Sequence, residues 1–409
     1  MNAGNYWLNS ARIKFYGGLT VVFFLAFAFG FIWFSNFVSP NGYAIASDLT
    51  VFWTASRIAL DGHASDAYIV SKLRESVLML YPDVKETFGW FYPPSFYLVI
   101  LPLGLLPYVP AYFAFILPTL VFYVLVILRI VENPEARWVL ASFSGLWINL
   151  LRGQNGFLTA ALGGLALLRL ETKPVFSGVL LGLLTVKPHL ALMFPVALIA
   201  IGAWRTLITA FFSALAIVAA GIVILGYDTF VGWIHSLNMA RQFTEINGPS
   251  YWIHMPTIFA FCRLLGASVA LSYAAHTLVA IGAASAVWWV WRHCREHSLR
   301  AATLAASTLL VSPYILEYDL TWLALPVAWI SSFSLQHGWK RGEREVLILA
   351  WLLPLICSVV AKAIAIQLGP WGVLLLEWII LRRVWLIRKT VSRVNQAARY
   401  SKSFKPAER

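Results

Sequence analysis

The stretch YGGLTVVFFLAFAFGFIWFSNF, residues 16–37, decides the fold class of this chain. It contains no charged side chain, and as a helix it is long enough to cross about 30 Å of hydrocarbon. The apolar region of a signal peptide is shorter than this. Residues 16–37 therefore predict a first transmembrane helix that is retained in the protein.

The composition of the whole chain extends this prediction to many helices. Of the 409 residues, 60% are hydrophobic and only 12% are charged, which is outside the range of soluble domains. The net charge of +13 raises the question of nucleic-acid binding, but the basic residues lie between apolar segments rather than in one patch. They indicate orientation in a membrane, and no nucleic-acid partner is predicted.

Basic residues also set the predicted topology. A cluster that includes Arg382, Arg388 and Lys389 follows the last apolar segment, so the tail at 389–409 is predicted to be cytoplasmic and to contact anionic lipid headgroups. Counting back from it gives an all-α polytopic fold with about twelve transmembrane helices in a single domain, 1–409. The predicted spans are 16–37, 111–130, 138–150, 157–169, 174–186, 189–203, 206–226, 268–291, 300–313, 319–334, 346–366 and 372–388.

One apolar segment conflicts with this topology. The stretch YPPSFYLVILPLGLLPYVP, residues 92–110, is apolar enough to cross the membrane, but a crossing would invert every later loop. Its five prolines break a helix repeatedly, and non-helical backbone at membrane depth must be buried in protein or line a cavity. We therefore interpret residues 94–110 as a re-entrant or juxtamembrane element on the outer side.

The same topology places two long segments, 39–93 and 227–267, on the outer face. The first carries Asp48, followed by an amphipathic pattern that predicts a helix lying in the interface plane. The second carries Trp252 and His254 among further aromatic residues. Such side chains can stack on sugar rings or anchor the chain at the headgroups, and both uses remain open.

Three outer turns interrupt apolar stretches with polar residues, which are functional candidates at that depth. These turns are NLLRGQNGFLTAALGG at 149–164, LLTVKPHLALMFP at 183–195 and SPYILEYDLTW at 312–322. Their polar side chains are Arg152, Gln154, Asn155, Lys187, His189, Glu317 and Asp319. Together with Asp48 they predict one cavity in which cations can hold a phosphate and carboxylates can take a proton or bind hydroxyls. Buried structural ion pairs are the alternative interpretation.

A further charged pair has a structural interpretation. Lys362 and Glu377 are equally distant in sequence from the loop around Gly369 that joins the last two helices. They are predicted to lie at similar depth and to neutralise each other.

The order and spacing of three stretches resemble a known family. SDLTVFWTASRIALDGHASDAY (47–68), FYPPSFYLVILPLGLLP (91–107) and GQNGFLTAALGGLALLRLETKPVFSGVLLGLLTVKPHLALMFPVAL (153–198) look like glycosyltransferase family 87. This family comprises bacterial mannosyltransferases that use polyprenyl-phosphate sugars and have the C-type glycosyltransferase fold. The resemblance covers residues from about 45 to 335. It departs from the family at SPYILEYDLTW, where the family pattern SP..WDH has a histidine that this chain lacks.

The resemblance implies a function and roles for the polar residues. Asp48 matches the acidic residue of the first outer loop that serves as catalytic base, and we expect Arg152 and Lys187 to bind the donor phosphate. The expected substrate-binding residues are Tyr92, Gln154, Asn155, His189, Trp252, His254, Glu317 and Asp319. The expected partners are a polyprenyl-phosphate-linked sugar donor, a glycolipid or glycan acceptor and membrane lipids. The expected location is the bacterial inner membrane with the site facing the periplasm, and mannose, arabinose or another sugar remains open.

Cofactors are not expected. Cys262, Cys294 and Cys357 have neither metal-site nor disulfide-framework spacing, and with arginine and lysine available for the phosphate no metal is predicted. Attack opposite the leaving phosphate predicts inversion at the anomeric carbon with a single base.

Two other classes of membrane protein remain as alternatives. A transporter or flippase of lipid-linked sugars also has many helices with broken segments, but it usually has internal repeats, which this sequence does not show. An O-antigen polymerase or ligase would carry functional arginines in a large outer loop, and Arg241 with Gln242 keeps that option open.

Overall fold

The computed structural model describes residues 7, 9–35, 46–80, 88–246 and 248–403, and within these residues all regular structure is helical. The α-helices are Ser10–Ser35, Ser47–Leu60, Val70–Leu80, Pro94–Ile100, Tyr108–Ile130, Ala136–Ala141, Ser144–Arg152, Gly156–Arg169, Pro174–Leu183, Met193–Ile201, Trp204–Leu225, Tyr227–Ile246, Pro249–Trp252, Ile258–Leu264, Val269–His293, His297–Val311, Ala324–His337, Glu343–Ile364 and Gly369–Ser403. Short 3-10 helices are Ala64–Tyr68, Leu101–Leu105, Leu184–Val186, Pro188–Ala191 and Glu317–Leu323. The predicted all-α class is confirmed.

Five helices are long and apolar enough to cross a membrane, and they identify a multi-pass membrane protein. They are Ser10–Gly30, Tyr108–Ile130, Trp204–Leu225, Val269–His293 and Glu343–Ile364. Of the other predicted spans, 372–388 lies within the 35-residue helix Gly369–Ser403. The rest coincide with shorter helices, because the chain turns at the polar sequences and divides the apolar segments. A helix of 14 residues, such as Gly156–Arg169, reaches only about 21 Å. The number of about twelve spans stays a prediction.

The centre of the bundle is the His297–Val311 helix, which is buried along almost its whole length. It contacts Val269–His293, Ala324–His337 and Gly369–Ser403. Alanine, serine and threonine make up much of its sequence, and small residues let helix backbones approach closely in a membrane protein.

A second close approach joins Pro174–Leu183 to Trp204–Leu225. A Cβ atom added at Gly178 would lie 2.6 Å from Cβ of Thr209, and one at Gly182 would lie 2.4 Å from Cβ of Ser213. The two glycines are four residues apart and form a small-xxx-small face. This packing fixes the helix that leads into the Lys187 turn.

The helix that carries Asp48 is more deeply buried than its sequence pattern predicts. The pattern predicts an interfacial helix, but all residues from Leu49 to Ser56 are buried. Phe52 packs edge-to-face against both Phe96 and Phe115. Residues 49–56 are enclosed because the proline-rich segment, folded as two short helices, packs over them. Parts of the first outer loop, 39–45 and 81–87, lie outside the described residues.

The predicted pair of Lys362 and Glu377 does not form. Lys362 is exposed, whereas Glu377 is buried and its Oε1 accepts a hydrogen bond of 3.0 Å from Ser307. Equal distance from the loop gave the two residues similar depth, but they face different surroundings. Depth along a helix does not fix which way a side chain points.

The C-terminal segment is helical beyond its predicted span. The last helix, Gly369–Ser403, continues into the basic tail, whose final residues 404–409 lie outside the described residues. Arg383, which also belongs to the basic cluster behind the last apolar segment, is buried and lies 3.1 Å from Glu343.

Candidate active site

The predicted polar residues come together at one end of the bundle. At this end the first helix of the 46–80 segment contacts the Ser144–Arg152 helix, which in turn contacts Glu317–Leu323. The Lys187 turn joins them through an ion pair with Asp319. We call this group of turns, with Asp48, the polar cluster.

The turn after Ser144–Arg152 is built for this position. The helix ends at Gly153, whose φ of +67° lies in the left-handed region that favours glycine. The side chain of Asn149 then donates to the carbonyl of Gln154 and accepts from the N–H of Gly156, both at 3.0 Å. These two hydrogen bonds hold the backbone of the turn, in which Gln154 and Asn155 are buried.

Gln154 connects Asp48 to Tyr92. Its Nε2 donates to Oδ1 of Asp48 at 3.0 Å, and its Oε1 accepts from the hydroxyl of Tyr92 at 3.1 Å. Gly153 allows this approach, because a Cβ atom there would lie 2.7 Å from Cβ of Leu49, the residue after Asp48.

Asp48 is a half-buried carboxylate with an unusual environment. Burial raises its pKa above the ordinary value, and the charge of Arg152, the hydrogen bond from Gln154 and the charge of Lys187 oppose that rise. Its Oδ1 accepts from Gln154, and Oδ2 has no hydrogen-bond partner among the described residues. Asp48 can therefore accept a proton at Oδ2.

Glu317 is the centre of a second group in the polar cluster. Its Oε1 lies 2.6 Å from Nη2 of Arg152, and its Oε2 lies 3.0 Å from Nδ1 of His254 and also accepts from Ser358. Burial alone would raise the pKa of Glu317, but the hydrogen bond with His254 and the charge of Arg152 lower it to about 2. Glu317 is thus ionised and unsuited to act as a base.

Lys187 and Asp319 form the most enclosed ion pair of the cluster. Nζ of Lys187 lies 2.5 Å from Oδ1 of Asp319, and the two side chains are 6% and 0% exposed. The ammonium also lies over the ring of Tyr318, 4.5 Å from its centroid. Oδ2 of Asp319 accepts from the N–H of Leu316 at 3.1 Å.

Three other predicted residues have different surroundings. Nε2 of His189 and Oδ1 of Asn155 are buried without a hydrogen-bond partner among the described residues. The indole of Trp252 is buried, donates to the carbonyl of Thr244 at 2.8 Å and stacks under Arg263. Its ring is thus held by protein groups.

The structure adds side chains that the sequence pattern did not single out as site residues. Asn149 orders the first turn, and Ser358 reaches Glu317 from the Glu343–Ile364 helix. Tyr251 is close enough to Asp48 that, after burial, the charge of Asp48 contributes to raising its tyrosine pKa to about 12. The sequence does not mark Ser358, since a single serine within an apolar helix can satisfy its hydroxyl on the backbone of its own helix.

No group of three or more histidine, cysteine, aspartate or glutamate side chains within the described part of the chain is arranged to hold a metal ion.

Comparison with known proteins gives one match. The model of glycosyltransferase family 87 matches residues 90–313, more than half of the chain. No curated protein and no solved structure matches the chain. The matched residues include Tyr92, the Arg152–Asn155 turn, Lys187 and His254, whereas Asp48, Glu317 and Asp319 lie outside them. The fold brings these three carboxylates to the matched turns.

Proposed function

Because this chain belongs to glycosyltransferase family 87 and is a membrane glycosyltransferase, we propose that it transfers mannose from a polyprenyl-phosphate donor to a lipid or glycan acceptor. The reaction takes place at the outer face of the bacterial inner membrane. It inverts the anomeric carbon, and Asp48 is the general base.

The observation that supports this role is the difference between the bonding partners of Asp48 and those of the other two carboxylates. Glu317 and Asp319 each form an ion pair with a cation, and an ion pair favours the ionised form and weakens a base. Asp48 instead bonds to the neutral carboxamide of Gln154, and its pKa is raised by burial. A carboxylate with a raised pKa and an unoccupied oxygen is the best base of the cluster.

The two cations differ in what they can offer a phosphate. The Arg152 side chain is 32% exposed, and only one of its guanidinium nitrogens bonds to Glu317. Its other N–H donors remain for the donor phosphate. Lys187 is buried against Asp319, so it contributes positive potential near Asp48 rather than a direct contact.

The proposed reaction uses these groups in one displacement. Oδ2 of Asp48 takes the proton of an acceptor hydroxyl as the oxygen attacks the anomeric carbon. The bond from that carbon to the phosphate oxygen breaks, and the electron pair leaves with the phosphate, which Arg152 stabilises. One base is sufficient for this inversion.

The donor class fits the position of the cluster. A polyprenyl phosphate keeps its tail in the bilayer and its phosphate and sugar at the interface, and the cluster lies at one end of the apolar helices. Tyr251 and His254, both partly exposed beside the carboxylates, can bind acceptor or donor hydroxyls.

The test is sugar transfer from radiolabelled polyprenyl-phosphate-mannose to membrane lipid acceptors in vesicles. Native protein is expected to label a product, and Asp48→Asn is expected to lose about 10²- to 10⁴-fold of the rate while still binding donor. Equal rates would move the base to another residue. Labelling from a different sugar would correct the donor, and donor movement across the vesicle membrane without a product would favour a flippase.

A further inference from the structure

The orientation of the Gln154 carboxamide is determined by its neighbours. Its Oε1 accepts from the backbone N–H of Asn155 at 2.8 Å as well as from the Tyr92 hydroxyl. A backbone N–H can only donate, so the oxygen must face Asn155 and the NH₂ group must face Asp48. This excludes the flipped amide that Asn and Gln side chains otherwise leave open.

This orientation makes the two oxygens of Asp48 unequal. Oδ1 already accepts from an N–H donor, and a proton on this oxygen would weaken that hydrogen bond. Oδ2 has no partner among the described residues. From this geometry we infer that Gln154 is a positioning residue, which holds Asp48 ionised and directs the transferred proton to Oδ2.

The surrounding groups make this role necessary. Burial alone favours the neutral form of Asp48, and so does the nearby charge of Glu317. Arg152, Lys187 and the Gln154 hydrogen bond act in the opposite direction, but Arg152 and Lys187 are each already paired with another carboxylate. Gln154 is the one side chain in the described residues that bonds directly to Asp48.

The inference rests on the proposed function and is tested by pH dependence. Asp48 must be ionised to act as a base, so transfer falls as the pH drops through its pKa. The low-pH side of the profile of transfer rate against pH, its acidic limb, therefore reports the pKa of Asp48. Loss of the Gln154 donor destabilises the ionised form, and Gln154→Leu is expected to move the acidic limb to higher pH by about one unit. Tyr92→Phe should move it less, because the Asn155 N–H still orients the amide.

A matched control distinguishes this role from a merely structural one. Gln367 is also a fully buried glutamine that holds a turn, donating to the Ile253 carbonyl and accepting from the Gly369 N–H. Gln367→Leu removes the same carboxamide without touching Asp48. Gln367→Leu can lower the amount of folded protein, but the acidic limb of its transfer profile should lie at the same pH as in the native protein.

A spectroscopic titration makes the result independent of transfer. A protonated carboxyl group has its own infrared band, and the band that disappears in Asp48→Asn belongs to Asp48. This band should titrate at higher pH in Gln154→Leu than in the native protein. An unmoved band would overturn the inference. A moved band in a protein that transfers no sugar at any pH would support the inference and refute the proposed function. If Gln154→Leu does not fold, Gln154→Met serves instead, because methionine has nearly the same length and no N–H donor, and its band should also move upward.

Discussion

Two groups of buried charges lie at opposite ends of one helix, and they differ in how completely their partners satisfy them. The Ala324–His337 helix begins just after Asp319 of the polar cluster and ends just before the pair of Arg383 and Glu343. We call this second group the Arg383 pair.

The Arg383 pair is held by several protein groups. Arg383 bonds to Glu343 and to the carbonyl of Gly338, and its guanidinium lies over the ring of Phe333. Glu343 also accepts from Ser334 and from the N–H of Lys340. The carboxylate and the guanidinium are both held by protein groups, so the pair fastens helix ends together.

The polar cluster is incompletely satisfied. Oδ2 of Asp48, Oδ1 of Asn155 and Nε2 of His189 have no hydrogen-bond partner within the described residues. Arg152 is one-third exposed, whereas Arg383 is 2% exposed. A buried polar group without a hydrogen-bond partner costs stability, and most buried polar groups in proteins have such a partner. Oδ2 of Asp48 and the partly exposed Arg152 are the groups of the cluster that a substrate can reach and bind, and four predictions test this difference.

The largest effect is expected at the Arg383 pair. Arg383→Met leaves Glu343 as a buried unpaired charge, which should cost about 3–5 kcal/mol of folding stability. Thermal unfolding in detergent measures this loss. The double variant Arg383→Met/Glu343→Leu removes both charges and should recover most of it. Single and double variants that unfold alike would show that the pair does not act as a unit.

The next effect concerns activity rather than stability. Arg152→Lys keeps the charge beside Glu317 but loses the planar fork, so transfer should fall about 100-fold with little change in unfolding temperature. Arg57→Lys is the control. Arg57 lies near the same end, over the Trp53 ring, and donates to the Gly104 carbonyl rather than to the cluster. An unchanged rate in Arg152→Lys would mean that the phosphate requires only a point charge.

A smaller effect is expected where the Gly153 turn contacts the Asp48 helix. Gly153→Ala combines a left-handed φ, costing about 1–2 kcal/mol, with a Cβ atom 2.7 Å from Leu49. Gly202→Ala has nearly the same φ, +69°, and only an ordinary 3.7 Å contact to Trp204. Both should lower stability, but only Gly153→Ala should also slow transfer. Equal transfer rates would mean that displacement of the Asp48 helix is tolerated.

The smallest effect is expected at Lys362. This residue is exposed and has no partner among the described residues, so Lys362→Gln should change stability by less than about 0.5 kcal/mol. Chemical denaturation of both proteins measures the difference. If Lys362→Gln lost as much stability as Arg383→Met, this would show that Lys362 does form an ion pair with Glu377.

Much of the site followed from local sequence. Polar residues in apolar stretches marked the Arg152, Lys187 and Glu317 turns, because a polar group at that depth requires a partner. The pattern placed Asp48 in the same cavity and the family resemblance added its role as base, and the structure brings it to Gln154 at 3.0 Å. Ser358 could not be predicted, since a serine hydroxyl can bond to a carbonyl of its own helix and so requires no distant partner. It reaches Glu317 only through the packing of two distant helices.

Sequence by itself determined the membrane class, the all-helical fold, the family and the turns that carry polar residues, because hydropathy and short motifs are local properties of the chain. Tertiary structure decided the pairing of charges: Arg152 with Glu317, Lys187 with Asp319, Glu343 with Arg383, and, among the described residues, no ion pair for Asp48. The physical reason is that hydrogen bonds and ion pairs act over about 3 Å, a distance that the direction of each side chain decides and that spacing along the chain does not.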